Sequence, residues 1–142
     1  MKEFYKVESD KKEKILTEIG KVSAGDRAVV FAYVYGSFLN DLSFRDIDIG
    51  IYLKEIEMDK VFNYELELSG RVAKAVALPF DIIDVKILNF APDSFLNNIF
   101  RNGKILFSND YKFLTDMIEK TSLEAILNEG IREQSFRELI PD

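Results

Sequence analysis

Two neighbouring segments of the chain constrain its fold more than any other feature. Residues 28–35 are almost wholly apolar and rich in Val, Phe and Tyr, which predicts a buried central strand. Residues 46–53 alternate strictly between aliphatic and other side chains, which predicts a second strand with one buried face. The connection over residues 36–45 is too short for a parallel crossover that contains a helix. The two strands should therefore pair antiparallel.

The remaining periodicity predicts helices around a small sheet. Helices are expected over residues 10–21, 58–78, 91–101, 110–119 and 121–140, and further strands over residues 80–88 and 104–107. Capping boxes of Asp10 with Glu13 and of Thr121 with Glu124 are expected to open the first and last helices. The second helix is long enough for a right-handed parallel crossover. We therefore expect an α/β (α+β) fold, in which a small mixed β-sheet is backed by helices and followed by a C-terminal helical extension.

The length of 142 residues suits one domain. We expect a single domain over residues 1–142, with a core at about 27–109 and C-terminal helices over 110–142. No basic and apolar leader opens the chain, and no apolar run is long enough to span a bilayer. We therefore expect a cytoplasmic protein that does not contact a membrane.

The chain contains no histidine and no cysteine. Without imidazole or thiolate it cannot form a Ser-His-Asp triad, a zinc finger, an iron–sulfur cluster or a disulfide. Carboxylates, hydroxyls, lysine, arginine and backbone amides remain, and this set suits Mg²⁺ and phosphate substrates. The net charge of −6 argues against direct nucleic-acid binding, which depends on neutralising phosphates with Lys and Arg.

Acidic residues on two predicted strands form the candidate site. Asp46 and Asp48 lie at positions i and i+2 of a strand, so their side chains should share one face, roughly 6 to 7 Å apart along it. The strand over 80–88 offers Asp81 and Asp84, which are three positions apart and should point to opposite faces. We expect Asp81 to join the pair, because it stands near the start of its strand as Asp46 does. Asp84 is the alternative.

The carboxylates need a compensating charge, because acidic groups on one sheet face repel one another. Mg²⁺ is the natural counter-ion. Gly36 and Ser37 stand where the first predicted strand ends. Gly36 would let the backbone approach a phosphate closely, and Ser37 can offer both a hydroxyl and an amide. The pattern predicts a metal-dependent site for phosphoryl or nucleotidyl transfer.

Four segments carry a family resemblance. They are Tyr-Gly-Ser at residues 35–37, Asp-Ile-Asp-Ile-Gly at 46–50, Phe-Asp-Ile-Ile-Asp at 80–84 and Arg-Asn-Gly-Lys-Ile-Leu-Phe at 101–107. Together they resemble the minimal nucleotidyltransferase (MNT) domain of the DNA polymerase β superfamily, over residues 27–109. The resemblance implies that Asp46, Asp48 and Asp81 bind Mg²⁺ or Mn²⁺ and act in catalysis. It also implies that Gly36 and Ser37 hold the triphosphate.

The resemblance further implies a partner. Many MNT proteins are antitoxins of two-gene toxin–antitoxin pairs whose partner is a small all-helical HEPN ribonuclease, and some silence it by attaching AMP to a tyrosine. We therefore expect Mg²⁺-dependent transfer of a nucleoside monophosphate, AMP from ATP, to a protein partner. However, the turn after Ser37 is short, and Phe38, Leu39 and Asn40 replace the small and basic residues common there. The alternative is a catalytically weak or inactive protein that neutralises a helical partner by binding alone.

The last predicted helix carries more apolar side chains than a solvent-facing helix needs. Either it packs back on the sheet, or part of its apolar stripe docks on a helical partner or on a second copy of the chain as a homo-oligomer. The stripe consists of Ile126, Leu127, Ile131, Phe136, Leu139 and Ile140.

Overall fold

The computed structural model describes the backbone of residues 4–139 and the side chains of residues 4–130. Its strands are β1 (Tyr5–Lys6), β2 (Val29–Tyr35), β3 (Ser43–Phe44), β4 (Ile47–Leu53), β5 (Ile83–Ile87) and β6 (Lys104–Ser108). Its helices are α1 (Ser9–Ala24), α2 (Ser37–Asn40), α3 (Val61–Val76), α4 (Asp93–Asn102) and α5 (Tyr111–Leu139). Short 3₁₀ turns at Met58–Lys60 and Phe80–Ile82 precede α3 and β5.

Four strands form the main sheet, in the order β5-β4-β2-β6. β2 pairs antiparallel with β4 and with β6, whereas β4 pairs parallel with β5. The predicted antiparallel pair and the parallel crossover through α3 are therefore confirmed, as is the mixed α/β fold. β1 and β3 form a separate antiparallel pair that the sequence did not predict.

Helices cover both faces of the main sheet. α1 and α3 pack on one face, where they bury aliphatic side chains of β4 such as Ile49 and Ile51. α4 and the first half of α5 pack on the other face, where Leu96 and Leu114 are buried. Burial of one such side chain contributes roughly 1.5 to 3 kcal/mol to folding. Because strand side chains alternate, Asp48 faces the same side as α4.

The start of α1 differs from the prediction. The helix begins at Ser9, and Glu8 occupies the N-cap position without a capping hydrogen bond from its side chain. The carbonyl of Glu8 accepts a hydrogen bond from the amide of Lys12 at 2.9 Å. The predicted Asp10/Glu13 capping box is wrong, because both residues lie inside the helix, Asp10 in its first turn and Glu13 in its second.

The third predicted strand begins three residues later than expected. Residues 80–82 form a 3₁₀ turn, in which the amide of Ile82 donates to the carbonyl of Pro79 at 3.3 Å, and β5 begins only at Ile83. Proline has no amide hydrogen for a sheet ladder, so the chain turns here before it extends. The strand alternation used to compare Asp81 with Asp84 was therefore wrong for Asp81.

The two predicted C-terminal helices are one continuous helix, α5. Thr121, the predicted N-cap, lies inside it and is 1% exposed. Its hydroxyl donates to the carbonyl of Ile118 at 3.2 Å, one turn back. No glycine or proline interrupts residues 111–129, and a threonine whose hydroxyl bonds to the preceding turn can continue a helix.

The apolar stripe of the last helix is only partly described. Ile126 and Leu127 are exposed, so this part of α5 does not pack on the sheet. The side chains of Ile131, Phe136 and Leu139 lie outside the described side chains, and Ile140 lies outside the described residues. Within residues 4–139, no helix combines the length and the apolar character that crossing a membrane requires.

Candidate active site

The turn after β2 brings the backbone against a carboxylate. Gly36 has φ 81° and ψ −159°, a conformation that is essentially restricted to glycine. A β-carbon at this position would collide with the carboxylate of Asp48. Gly36 is therefore required both by its backbone conformation and by the close approach of Asp48. Ser37 follows directly, at the start of the short helix α2.

Lys12 of α1 holds this turn in place. Its ammonium donates hydrogen bonds to the carbonyls of Phe38 at 2.8 Å and of Asp41 at 2.6 Å. It also lies 5.2 Å from the centre of the Phe38 ring. Phe38 is fully buried, edge to face with Phe44 at 4.7 Å. The first side chain after Ser37 thus belongs to the core, and sequence analysis missed the role of Lys12.

Two carboxyl groups meet at the start of the parallel strands. Asp48 of β4 and Asp84 of β5 are direct neighbours in the ladder, and their side chains are hydrogen-bonded to each other. Burial, the charge and hydrogen bond of Asp84, and the charge of Asp46 raise the pKa of Asp48 to about 6, while Lys86 opposes this rise. A hydrogen bond between two carboxyl groups needs a proton on one of them, and the raised pKa lets Asp48 hold that proton below about pH 6.

The other predicted acidic residues lie on either side of this pair. Asp46 is half-buried just before β4, and its negative charge acts on Asp48. Asp81 lies on the exposed 3₁₀ turn before β5, where it lines a groove at the outer side of that strand together with Asp84. The structure thus brings Asp48 and Asp84 into contact, with Asp46 nearby, and places Asp81 on the surface turn.

Tyr35 adds a hydroxyl that sequence analysis missed. It pairs with Asp48 across β2 and β4, and its ring packs edge to face on Phe95 at 5.9 Å between ring centres. Its hydroxyl is buried and has no hydrogen-bond partner among the described residues. Burial raises the pKa of this hydroxyl, and the negative charges of Asp48, Asp84 and Glu65 raise it further. The only signal in the sequence was its position directly before the glycine turn.

The donor chemistry of this site fits a divalent cation. Asp46, Asp48 and Asp84 offer carboxylate oxygens, which Mg²⁺ prefers, and the hydroxyl of Tyr35 is a buried polar group that still needs a partner. Among the described residues, however, no three acidic side chains are already arranged as a metal cluster. A cation would therefore have to draw these carboxylates together, in place of the proton that Asp48 holds below about pH 6.

Comparison with known proteins places these residues in a family. The family model described as "Polymerase beta, Nucleotidyltransferase" matches residues 17–112, which is more than half of the chain. That range contains the glycine turn, all four aspartates discussed above and the whole main sheet. A search of curated proteins found no match.

Solved structures with a similar fold come from toxin–antitoxin complexes. One is the tri-AMPylated HEPN toxin of Shewanella oneidensis in complex with MNT antitoxin, with 17% identity and a TM-score of 0.63 over 92% of this chain and 99% of that chain. A toxin–antitoxin structure with AMP-PNP has 18% identity and a TM-score of 0.63, over 89% and 98% of the two chains. The toxin–antitoxin MntA–HepT has 16% identity and a TM-score of 0.59, over 94% and 100%.

At identities of 16 to 18%, these structures show only that the fold is shared. The family is shown by the match to the family model. The match extends from α1 to the start of α5, so it includes every strand of the main sheet. The chain is therefore a member of the polymerase beta nucleotidyltransferase family.

Proposed function

We propose that the protein transfers AMP from ATP to a hydroxyl of a protein partner, as the antitoxin of a HEPN/MNT-type toxin–antitoxin pair. The observation that carries the proposal is the Asp48–Asp84 carboxyl pair beside the Gly36 turn, within the segment that matches the family. The similar structures support the choice of partner and nucleotide, since one contains an AMPylated HEPN toxin and another contains AMP-PNP.

In this proposal Asp46, Asp48 and Asp84 hold Mg²⁺ or Mn²⁺. The sequence analysis favoured Asp81 as the third ligand, and we now propose Asp84 because it contacts Asp48 directly. When bound, the cation would neutralise the triphosphate and favour loss of the proton from the attacking hydroxyl.

The triphosphate would lie against the turn formed by Gly36 and Ser37. Because Gly36 has no side chain, its backbone lies directly against the Asp48 carboxylate, and Ser37 can donate its hydroxyl to a phosphate oxygen. Lys12 positions this turn through the carbonyls of Phe38 and Asp41 and so keeps the phosphate-binding backbone fixed. Such preorganisation is how a phosphoryl-transfer site lowers the barrier.

The transfer step is a substitution at the α-phosphorus of ATP. The hydroxyl oxygen of the acceptor attacks the α-phosphorus, and the bond to the oxygen that bridges the α- and β-phosphates breaks. Pyrophosphate leaves with that oxygen, and AMP remains on the acceptor as a phosphodiester. The proton of the hydroxyl passes to a carboxylate oxygen of Asp84.

One observation favours a second candidate, in which the protein neutralises its partner by binding alone. Lys12, which is hydrogen-bonded to the turn, is engaged by two backbone carbonyls, and residues 36–41 contain no basic side chain. The turn itself would then offer no free ammonium or guanidinium group to the triphosphate, and the domain would serve as a scaffold.

The two candidates are separated by incubating the protein with Mg²⁺, ATP radiolabelled at the α-phosphate and the protein encoded by the neighbouring gene. The enzyme candidate requires label on the partner with the wild type and none with Asp48→Asn, while both form the complex on gel filtration. A complex that forms without any label would favour neutralisation by binding. A wild type that neither labels nor binds this protein would contradict both candidates.

A further inference from the structure

A groove of about 330 Å³ lies at the outer edge of β5, next to the candidate active site. One wall is formed by Phe62 and Leu66 of α3, and another by Phe80 and Asp81 of the 3₁₀ turn. Asp84 lines the same groove and also bonds to Asp48. Asp84 therefore belongs both to the lining of the groove and to the proposed metal site.

The walls of this groove are unusually apolar for a protein surface. Phe62 is 67% exposed, Phe80 49% and Leu66 43%. The ring of Phe80 reaches back to α3, where it would lie 3.9 Å from a β-carbon at Gly70. Large apolar side chains clustered around a concave surface are typical of sites that bind another chain.

The floor of the groove is a strand edge with which no further strand pairs in the described part of the chain. β5 is the end strand of the main sheet, and the amide of Leu88 donates to β4 at the carbonyl of Ile51, 2.8 Å away. The amide of the preceding residue, Ile87, points outward and donates to the Glu65 carboxylate at 2.9 Å. By the same alternation, the backbone groups of Val85 point outward, into the groove that Val85 lines.

The charged side chains that are described as lining the groove are all acidic. Glu65, Asp81 and Asp84 line it, and no lysine or arginine is among its described lining residues. An incoming chain would therefore be attracted if it carried basic side chains and repelled if it carried acidic ones.

We propose that this groove binds the acceptor segment of the partner protein as an added strand along β5. The segment would be extended, with the reacting hydroxyl between basic residues. This inference rests on the proposed transferase function and adds to it the means of acceptor recognition. Adjacent strands lie about 4.8 Å apart, so a side chain opposite Asp84 on the added strand would stand directly beside that carboxylate. Backbone hydrogen bonds would supply affinity, and the aromatic walls and acidic lining would supply selectivity.

The test uses short tyrosine-centred peptides that differ only in their flanking charges. With wild-type protein, Mg²⁺ and ATP labelled at the α-phosphate, we expect basic-flanked peptides to be modified at least about tenfold more efficiently than acidic-flanked ones. Phe62→Ala and Phe80→Ala should each raise the KM for the basic peptide by about fivefold or more while kcat stays close to the wild-type value. Both residues are exposed, so thermal unfolding should confirm that the variants fold.

Leu123→Ala is the matched control, because Leu123 is an equally exposed apolar residue on α5, away from this groove. Its KM for the basic peptide should equal that of the wild type. The proposal that the groove binds the acceptor would be wrong if basic-flanked and acidic-flanked peptides were labelled equally well. It would also be wrong if both phenylalanine variants labelled the basic peptide as the wild type does. A loss confined to Leu123→Ala would assign the acceptor to α5, and would overturn it too.

A separate measurement distinguishes failure of the groove from failure of the transferase proposal. Binding of a fluorescent basic-flanked peptide is followed by anisotropy without ATP, and binding of Mg²⁺ and ATP is followed by thermal unfolding without peptide. Peptide binding that weakens in Phe62→Ala supports the groove even if ATP has no effect, which would remove only the transferase function. If ATP stabilises the protein and the peptide does not bind, the groove proposal is wrong and the nucleotide site stands.

Discussion

Replacing Gly36 with alanine should destabilise the protein by about 3 kcal/mol. The backbone of Gly36, at φ 81° and ψ −159°, lies in a region where other residues are strained by about 2 kcal/mol. In addition, the new β-carbon would displace the carboxylate of Asp48 and break its hydrogen bond to Asp84, at a cost of about 1 kcal/mol. The two effects can be separated because only the second involves Asp48.

The assay is urea unfolding at about pH 5, where the carboxyl pair holds its proton. In an Asp48→Ala background the collision is absent, so the cost of Gly36→Ala should fall to the backbone strain of about 2 kcal/mol. Gly130→Ala is the matched control, because a β-carbon there meets nothing within 4 Å inside a helix. It should stabilise the protein by about 0.5 to 1 kcal/mol.

The outcome can refute either part of the reasoning. An equal cost of Gly36→Ala in both backgrounds would show that Gly36 and Asp48 are not in contact. A Gly36→Ala protein as stable as the wild type would show that the backbone of the turn does not have a conformation restricted to glycine.

Two further predictions concern the groups around this turn. The pKa of Asp48 is raised from 3.8 to about 6 on folding, so the native state binds this proton more tightly. Without metal, the free energy of unfolding should therefore fall by about 1 to 2 kcal/mol as pH rises from about 4 to 6, after allowing for solvent screening. Urea titrations at several pH values measure this fall, and Asp48→Asn should remove most of it. Lys12→Met should lower the free energy of unfolding by about 1 to 2 kcal/mol, because two hydrogen bonds are lost. In the same assay, the control Lys11→Met should lower it by about 0.5 kcal/mol or less, because Lys11 is exposed.

The strands of the main sheet could be predicted because the pattern of apolar residues along the sequence shows which side chains are buried. Aliphatic residues at every second position of β4 fix which face is buried, and the short connection to β2 fixes the antiparallel pairing. The continuity of α5 could not be predicted, because the capping pattern at Thr121 is equally compatible with a helix start and with a helix interior. Only the neighbouring turn, where the carbonyl of Ile118 accepts from the Thr121 hydroxyl, decides between them.

The strand positions of the candidate residues could be predicted from the sequence, but the contacts between them could not. Gly36, Asp46 and Asp48 were candidates from the sequence pattern, and the structure places them at one end of the sheet, while their roles remain a proposal. The contact between Asp48 and Asp84 depends on the register of β4 against β5, which are joined through a helix, and spacing along the chain does not encode it. The 3₁₀ turn after Pro79 then removed the alternation on which the choice between the two later aspartates was based.

The role that we propose for Asp48 and Asp84 is to hold together the cation for nucleotidyl transfer. It is tested most directly by measuring kcat for AMP transfer to the partner protein, at saturating acceptor, for Asp48→Asn, Asp84→Asn and Asp81→Asn. This role predicts losses of about 100-fold or more for the first two variants. It predicts that Asp81→Asn stays within about threefold, less than 1 kcal/mol, although its KM for the acceptor should rise because Asp81 lines the groove. An inactive Asp81→Asn beside an active Asp84→Asn would contradict it.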